Sequence, residues 1–229
     1  MAEMTKEERV VCALSREEPD RVPLYDLVDN SEIIQHYAGE KLTLENAHDV
    51  IPRALNRVLD TTRVWMPHAP GRRVDDRGFA HERGDWWNEW QVSTPFHNMV
   101  ELIAFVKDEI ERLEAWQPTD TDAELKDALI WKERFGEVVI PASTAGEALS
   151  DAYILVGLDQ FVYLESEAPD LVDRWLKALH ARTMRRLQAQ TRCREVSPIA
   201  WVFDDMAYKG RLMFSPRYLR AHRVFQNIA

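Results

Sequence analysis

Trp201-Val202-Phe203-Asp204-Asp205 is the stretch that decides the fold class, because an apolar run ends there at two carboxylates. A glycine-containing loop follows, and Ser215-Pro216 then has the composition of a helix start. In α/β enzymes a buried strand that ends in polar residues places reactive groups at the carboxyl end of a sheet. Asp204 and Asp205 are therefore candidate catalytic residues. Neighbouring strand residues point to opposite sides, so we expect only one of them to face a site.

Helical patterns alternate with short apolar runs along the rest of the chain. Thr5 and Glu8 fit a capping box. Val138-Val139-Ile140 predicts a buried strand. The helices are predicted at residues 5–15, 44–61 (with Pro52 inside), 98–114, 121–135, 147–164 and from Pro169 onward, and a further short strand at residues 63–66. This order predicts an α/β fold with parallel strands, for which a (β/α) barrel and a doubly wound sheet both fit. No glycine-rich phosphate fingerprint follows a predicted strand, which disfavours the dinucleotide-binding version.

Residues 71–97 differ in character from the rest, with several glycines, mixed charge and a tryptophan cluster. They predict short antiparallel strands that form an excursion from the main architecture, and not a separate domain. Trp86, Trp87 and Trp90 could form an aromatic wall for a ligand, but the core of this small sheet is the favoured interpretation.

Composition excludes several classes of partner. The formal net charge of −10 disfavours binding to nucleic acid or to an anionic membrane, since both need basic patches. No apolar run approaches the ~20 residues that a membrane span needs, and the amino terminus is polar. Cys12 and Cys193 are too far apart in sequence to indicate a disulfide framework or a metal-ligand spacing. We therefore expect a cytoplasmic protein.

Three segments together resemble the uroporphyrinogen decarboxylase superfamily, which includes cobalamin-dependent methyltransferases. They are residues 5–23, with Glu18-Pro19-Asp20-Arg21-Val22-Pro23 at their end, residues 143–157, and residues 203–216. The resemblance implies a single (β/α)₈ TIM-barrel domain over residues 1–229, with its site at the carboxyl ends of the strands. Only three or four parallel strands are predicted, and the sequence stops within an apparent helix at residues 225–229, so we expect an incomplete barrel. Its open sheet edges favour association, for example as a homo-oligomer.

The resemblance also implies site residues. Tyr153 matches an active-site tyrosine of the decarboxylases, while Asp205 stands where those enzymes place a serine. Two arginines that bind substrate carboxylates in the decarboxylases are missing after Pro23, and acids stand nearby instead. A polycarboxylate tetrapyrrole would be repelled there, which favours the methyltransferase branch. We add Ser143, Thr144 and Tyr208 as candidate substrate-binding residues, although Ser143 and Thr144 follow a predicted strand where helix capping is the more common role.

Methyltransferases of this superfamily bind Zn²⁺ through a His-x-Cys pair and a later cysteine. No His-x-Cys occurs in this sequence, and in the family the ligands lie beyond the Ser-Pro helix, after residue 229 here. We therefore expect no metal or cofactor bound by these residues, with a corrinoid, free or on a corrinoid protein, as substrate beside a small molecule. The expected reaction is corrinoid-dependent methyl transfer. Uroporphyrinogen decarboxylation and a catalytically inactive fragment or partner subunit are the alternatives.

Overall fold

A computed structural model describes residues 3–118, 121–142, 144–146, 148–190 and 196–221, and it contains both helices and strands, as the α/β class requires. The helices are α1 (Lys6–Leu14), α2 (Ser31–Ala38), α3 (Ala47–Leu55), α4 (Met99–Ala115), α5 (Thr121–Phe135), α6 (Ala148–Val156), α7 (Leu158–Glu167), α8 (Pro169–Gln190) and α9 (Pro216–Ala221). The strands are β1 (Gly71–Val74), β2 (Ala80–Arg83), β3 (Glu89–Ser93), β4 (Thr144–Gly146), β5 (Trp201–Phe203), β6 (Ala207–Tyr208) and β7 (Arg211–Leu212).

The chain divides into two compact units. Unit 1 comprises Met1–Ser93, Asp120–Thr144 and Gln190–Trp201, and unit 2 comprises Thr94–Thr119, Ala145–Ala189 and Val202–Ala229. The single-domain organisation implied by the resemblance stays a prediction. In the described part of the chain, no helix combines the length and the apolar composition needed to cross a bilayer.

A buried ionic network ties the amino-terminal residues of unit 1 to Asp60. Arg9 Nη1 lies 2.6 Å from Asp60 Oδ1, and Arg9 Nε lies 2.6 Å from Asp20 Oδ1. Arg21 donates to both oxygens of Asp60, and the Leu24 amide donates to Oδ2 at 2.7 Å. Residues 18–23, which follow α1, thus supply charges that hold α1 in position.

The pKa of Asp20 makes this network sensitive to acid. The hydrogen bond from Arg9, reinforced by the Met4 amide, holds the pKa of the Asp20 carboxyl well below its usual range. A carboxyl with a lowered pKa in the folded state stabilises the protein above the unfolded-state pKa of about 3.9, and this stability is lost as pH falls toward the folded-state pKa.

We therefore expect the stability difference between wild type and Asp20→Asn to be largest at neutral pH and to shrink below about pH 4. Urea midpoints measured at a series of pH values check this. Asp76→Asn is the matched control, because Asp76 is exposed in the β1–β2 turn and its replacement should cost little at any pH. A wild-type advantage over Asp20→Asn that stays constant with pH contradicts the prediction.

Four extended segments of unit 1 lie side by side. Tyr25 forms a parallel bridge with Thr61, Thr61 forms another with Val139, and the Ala142 amide donates to the Ile199 carbonyl at 2.8 Å. The ring centroids of Tyr25 and Trp201 are 4.2 Å apart, although the first and fourth strands of a flat sheet would be separated by about 14 Å. The contact indicates that the segments curve toward each other on the side of these rings.

Two sequence predictions are tested by this arrangement. The predicted parallel segment at residues 138–140 is confirmed at Val139, whereas the strand predicted at residues 63–66 is wrong. The parallel bridge occurs earlier, at Thr61, because the Val139 amide donates to the Asp60 carbonyl, while the Thr62 amide and the Thr61 hydroxyl donate to the Val139 carbonyl. β4 pairs with β5 in a separate two-stranded sheet. A closed eight-stranded barrel remains a prediction.

The antiparallel excursion is confirmed as the three-stranded sheet β1-β2-β3. Trp87 is buried and its Nε1 donates to Ser31 Oγ at 3.3 Å, and Trp86 packs on the same core. Trp86 and Trp87 therefore belong to a core as predicted, but this core is formed with residues of α2, α3 and α5 and is not that of the small sheet. The core interpretation is wrong for Trp90, which is 68% exposed on β3.

The core of unit 1 brings together α2, α3 and the end of α5. The predicted helix at residues 44–61 is shorter, with Pro52 inside α3. A proline lacks the N–H that would bond the carbonyl four residues earlier. Here the His48 carbonyl accepts instead from Arg134 Nη1 at 2.9 Å. The helix tolerates Pro52 because α5 supplies the missing donor.

Unit 2 contains α4, α6, α7, α8 and α9. Asn98 caps α4 by accepting from the Glu101 amide, at the amino end of the helix predicted at residues 98–114. The helical region predicted at residues 147–164 is confirmed, and Gly157, with φ +90°, divides it into α6 and α7. Ser215 accepts from the Tyr218 amide at 3.1 Å and caps α9, as the Ser-Pro pair predicted.

Candidate functional site

The acidic pair at the carboxyl end of β5 occupies two different environments. Asp204 is half-buried, and its Oδ1 accepts from the Ser150 amide at 2.7 Å. Ser150 stands in the first turn of α6, where backbone amides lack helical partners and favour negative charge. Asp205 is exposed. Asp204 therefore stabilises the start of α6, and Asp205 is the carboxylate that is exposed to solvent.

Tyr153 lies on α6 and fixes the backbone of this pair. Its hydroxyl donates to the Asp205 carbonyl at 2.7 Å, and its side chain is buried. Burial, together with the charges of Asp205 and Asp204, raises the pKa of Tyr153 to about 12. The hydroxyl thus stays protonated at neutral pH and acts as a hydrogen-bond donor.

An aromatic cluster packs against the ring of Tyr153. The Tyr153 ring lies 6.0 Å from the ring of Phe214, which lies 5.9 Å from Phe161 and stacks on Tyr218 at 5.3 Å. Such offset and edge-on pairs add to the stability gained from burial. The position of the Asp205 peptide is therefore coupled to the aromatic core of unit 2.

The candidate substrate-binding residues Tyr208, Ser143 and Thr144 have fewer described contacts. Tyr208 lies on β6 with 62% of its side chain exposed, and Lys209 Nζ lies 5.1 Å from its ring centroid. Ser143 lies outside the described residues, and Thr144 belongs to β4. Asp204, Asp205 and Tyr153 are thus brought together, and the roles of Ser143, Thr144 and Tyr208 in substrate binding stay predictions.

Unit 1 carries polar groups that sequence analysis missed. Arg63 follows the Thr61 segment at its carboxyl end, and its guanidinium carbon lies 5.1 Å from the Trp65 ring centroid. Both line a cavity of 240 Å³. The sequence signal that marks Arg63 is its place directly after a parallel segment.

The described residues offer no cluster of metal ligands. Across the described ranges no group of three or more His, Cys, Asp or Glu side chains could hold a metal ion. Cys12 is half-buried; burial, with the charges of Glu17 and Asp20, raises the pKa of its thiol, which disfavours a reactive thiolate. Cys193 lies outside the described residues. The donor set for zinc that the family would require does not occur among these residues.

Comparison with known proteins supports the fold class. No protein-family model matches the chain, and no curated protein matches it significantly. Its structure is similar to that of a methyltransferase from Methanosarcina mazei, with a TM-score of 0.53 and 18% sequence identity. The similarity covers 83% of this chain, which spans only 57% of that methyltransferase. At this identity the likeness shows a shared fold.

Proposed function

We propose that the chain is part of a (β/α)₈ barrel of the uroporphyrinogen decarboxylase superfamily, and that it takes part in corrinoid-dependent methyl transfer to or from a small molecule. The observation that carries the proposal is the structural likeness over 83% of the chain to a protein described as a methyltransferase. The parallel bridges at Thr61 and the curvature indicated by the Tyr25–Trp201 contact are consistent with barrel strands.

The chemistry of methyl transfer gives Asp205 a role. A new bond forms between the methyl carbon and a nucleophile, and the bond to the donor breaks with its electron pair left on the donor. If the nucleophile is a thiol, alcohol or ammonium group, its proton has to leave. An accessible carboxylate can accept that proton. The Tyr153 hydroxyl, by binding the Asp205 carbonyl, would hold this carboxylate at a fixed place.

The corrinoid enters this proposal as a substrate, and no step is assigned to zinc because the described residues do not supply its ligands. Nothing observed favours porphyrinogen decarboxylation, since the residues after Pro23 are acidic and exposed at Asp26 and Asp29. Decarboxylation is therefore the alternative reaction that the assay has to distinguish from methyl transfer.

We expect Asp205→Asn to lower kcat for methyl transfer by about 10²–10⁴-fold with little change in KM, because the amide cannot accept the proton. The assay follows the absorbance of methylcobalamin as it loses its methyl group to a small thiol. Asp76→Asn removes the same charge from an exposed turn and should retain full activity.

Two results would contradict this proposal. Formation of coproporphyrinogen from uroporphyrinogen, without any loss of methyl from methylcobalamin, would establish the decarboxylase alternative. Wild-type activity in the Asp205→Asn protein would remove Asp205 from the reaction while leaving methyl transfer in place.

A further inference from the structure

A basic cavity lies beside the antiparallel sheet of unit 1. It has a volume of 460 Å³, and its described lining contains His68, Arg72, Arg73 and Arg83 but only one carboxylate, that of Glu89. Ligand sites are typically clefts of about 300–1,000 Å³. The guanidiniums outnumber the carboxylate by two charges, although the chain as a whole has a net charge of −10. Such a local excess of cations in an acidic protein attracts anions.

The register of the sheet brings the charged side chains to one face. Gly71 of β1 is opposite Arg83 of β2, and Arg83 is opposite Glu89 of β3. Residues directly opposite each other share a face of an antiparallel sheet, and Arg73 shares it because it stands two residues from Gly71. Gly71 leaves the space beside Arg83 open, since a Cβ added there would meet no atom within 4 Å.

Glu89 orients two of the guanidiniums without using all of their donors. Arg73 donates to Glu89 from Nε at 3.1 Å and from Nη2 at 2.6 Å, and Arg83 donates from Nη2 at 3.3 Å. Arg83 Nη1 lies 3.4 Å from the Trp86 carbonyl, which also accepts from the His68 amide. A guanidinium carries more N–H groups than these bonds engage, so both arginines keep donors for a ligand.

The guanidiniums can be reached from the cavity. The side chain of Arg73 is 54% exposed and that of Arg83 is 15% exposed. Arg72 is exposed and forms no ion pair within the part of the chain that the structure describes. The hydrogen bond from Arg73, together with that from Arg83, lowers the pKa of Glu89 to about 2, so Glu89 stays ionised and keeps both arginines in place.

We propose that this cavity binds a phosphate dianion through Arg72, Arg73 and Arg83. A phosphate monoester carries close to two negative charges at neutral pH and three strong acceptor oxygens, which matches the excess charge and the three guanidiniums. A carboxylate is already matched by a single guanidinium fork and would leave the other donors unused. The volume also leaves room for a small organic group beside Ala69 and Gly71.

The test is an NMR titration of the full chain labelled with ¹⁵N, read at the backbone amides of Gly71, Arg72 and Arg73. Glycerol phosphate and inorganic phosphate are added at constant ionic strength and at about pH 8, where both are dianions. Saturable shifts are expected with both. Tighter binding of glycerol phosphate identifies an organic ester as the source of the phosphate group, and tighter binding of inorganic phosphate identifies the free anion.

Two further probes separate phosphate recognition from simple attraction of charge. Malonate is a dianion with planar carboxylates, and dimethyl phosphate is a tetrahedral anion with a single charge. Each should bind about tenfold more weakly than phosphate, because the first lacks the tetrahedral acceptors and the second lacks one charge and one free oxygen.

Arginine variants assign the binding to these side chains. Arg72→Gln, Arg73→Gln and Arg83→Gln should each weaken phosphate binding about tenfold, the loss expected for a hydrogen bond between charged groups. Arg53→Gln is the matched control, because Arg53 forms a half-exposed pair with Glu40 and its loss removes the same charge from unit 1.

Gly71→Leu tests the cavity without changing its charge. The new side chain should fill the space beside Arg83 and abolish binding, while the strand has room for its Cβ. Arg72→Gln remains decisive even if the variants of the two paired arginines disturb the sheet, because Arg72 has no ion pair with the described residues to lose.

The proposal is overturned if neither phosphate probe gives a saturable shift, or if malonate or dimethyl phosphate binds as tightly as phosphate. It is also overturned if Arg72→Gln or Gly71→Leu binds phosphate like the wild type. None of these measurements requires a methyl donor, so methyl transfer and this site can fail separately.

Discussion

Asp60→Ala is expected to lower the free energy of unfolding by about 3–5 kcal/mol, since buried Arg9 loses one of its two carboxylate partners and the Leu24 amide loses its acceptor. The side chain of Asp60 is fully buried and that of Arg9 is 3% exposed. Burial alone would raise the pKa of Asp60, but hydrogen bonds from Arg21, the Leu24 amide and Arg9 hold it below its usual value. All these donors lose their acceptor together in the variant.

The measurement is equilibrium unfolding by urea and by heat, where the expected loss corresponds to a fall in Tm of about 6–20 °C. Glu40→Ala is the control, because the Glu40–Arg53 pair is half-exposed and should contribute at most about 1 kcal/mol. The double variant Arg9→Ala/Asp60→Ala should cost less than the sum of the single changes, since the two side chains contact each other. Similar losses for Asp60→Ala and Glu40→Ala would show that the network does not stabilise unit 1.

Local signals in the sequence predicted most of the helices well. The Thr5–Glu8 capping box, Asn98 before α4 and Gly136 after α5 each act within one turn of the chain, so the residues alone define the helix end. No helix was predicted over the residues of α2, although Asn30 caps this helix and Gly39 ends it at φ +70°. Its eight residues show too short an apolar pattern to separate it from a loop.

Parallel pairing was harder to predict because its partners are distant in sequence. Thr61 lies between Tyr25 and Val139, and nothing near residue 61 specifies either neighbour. Val64-Trp65-Met66 suggested a strand over residues 63–66, but the bridge forms at Thr61, whose hydroxyl also donates to the Val139 carbonyl. Pairing of this kind depends on the tertiary fold more than on local propensity.

The candidate site also contains features that local sequence predicts and features that depend on the tertiary fold. Alternation along β5 predicted that Asp204 and Asp205 would differ, and Asp204 is indeed directed to the Ser150 amide while Asp205 is exposed. Arg63 and Trp65 could not be recognised from composition, since an arginine in a mixed sequence is normally paired or solvated. Only the tertiary structure shows that their buried donors lack hydrogen-bond partners among the described residues.

The other large effect is expected at Phe161, which is fully buried at the centre of the aromatic cluster of unit 2. Its ring centroid lies 6.4 Å from that of Trp175 and 5.9 Å from that of Phe214. Phe161→Ala should destabilise unit 2 by about 3–5 kcal/mol, through lost burial and the cavity that remains. Because Phe214 contacts Tyr153, the variant should also loosen the Tyr153–Asp205 hydrogen bond and reduce methyl transfer.

Hydrogen exchange of the α7 and α8 amides would locate the loss, and urea unfolding would measure it. Phe161→Leu keeps most of the volume and should cost less than about 1.5 kcal/mol, so it separates filling of the core from aromatic contact. If Phe161→Leu retains stability but loses activity as Phe161→Ala does, the ring contacts themselves position Tyr153. If Phe161→Ala unfolds at the wild-type urea concentration, the cluster does not support the acidic pair, and Tyr153 must be held by its hydrogen bond to Asp205 alone.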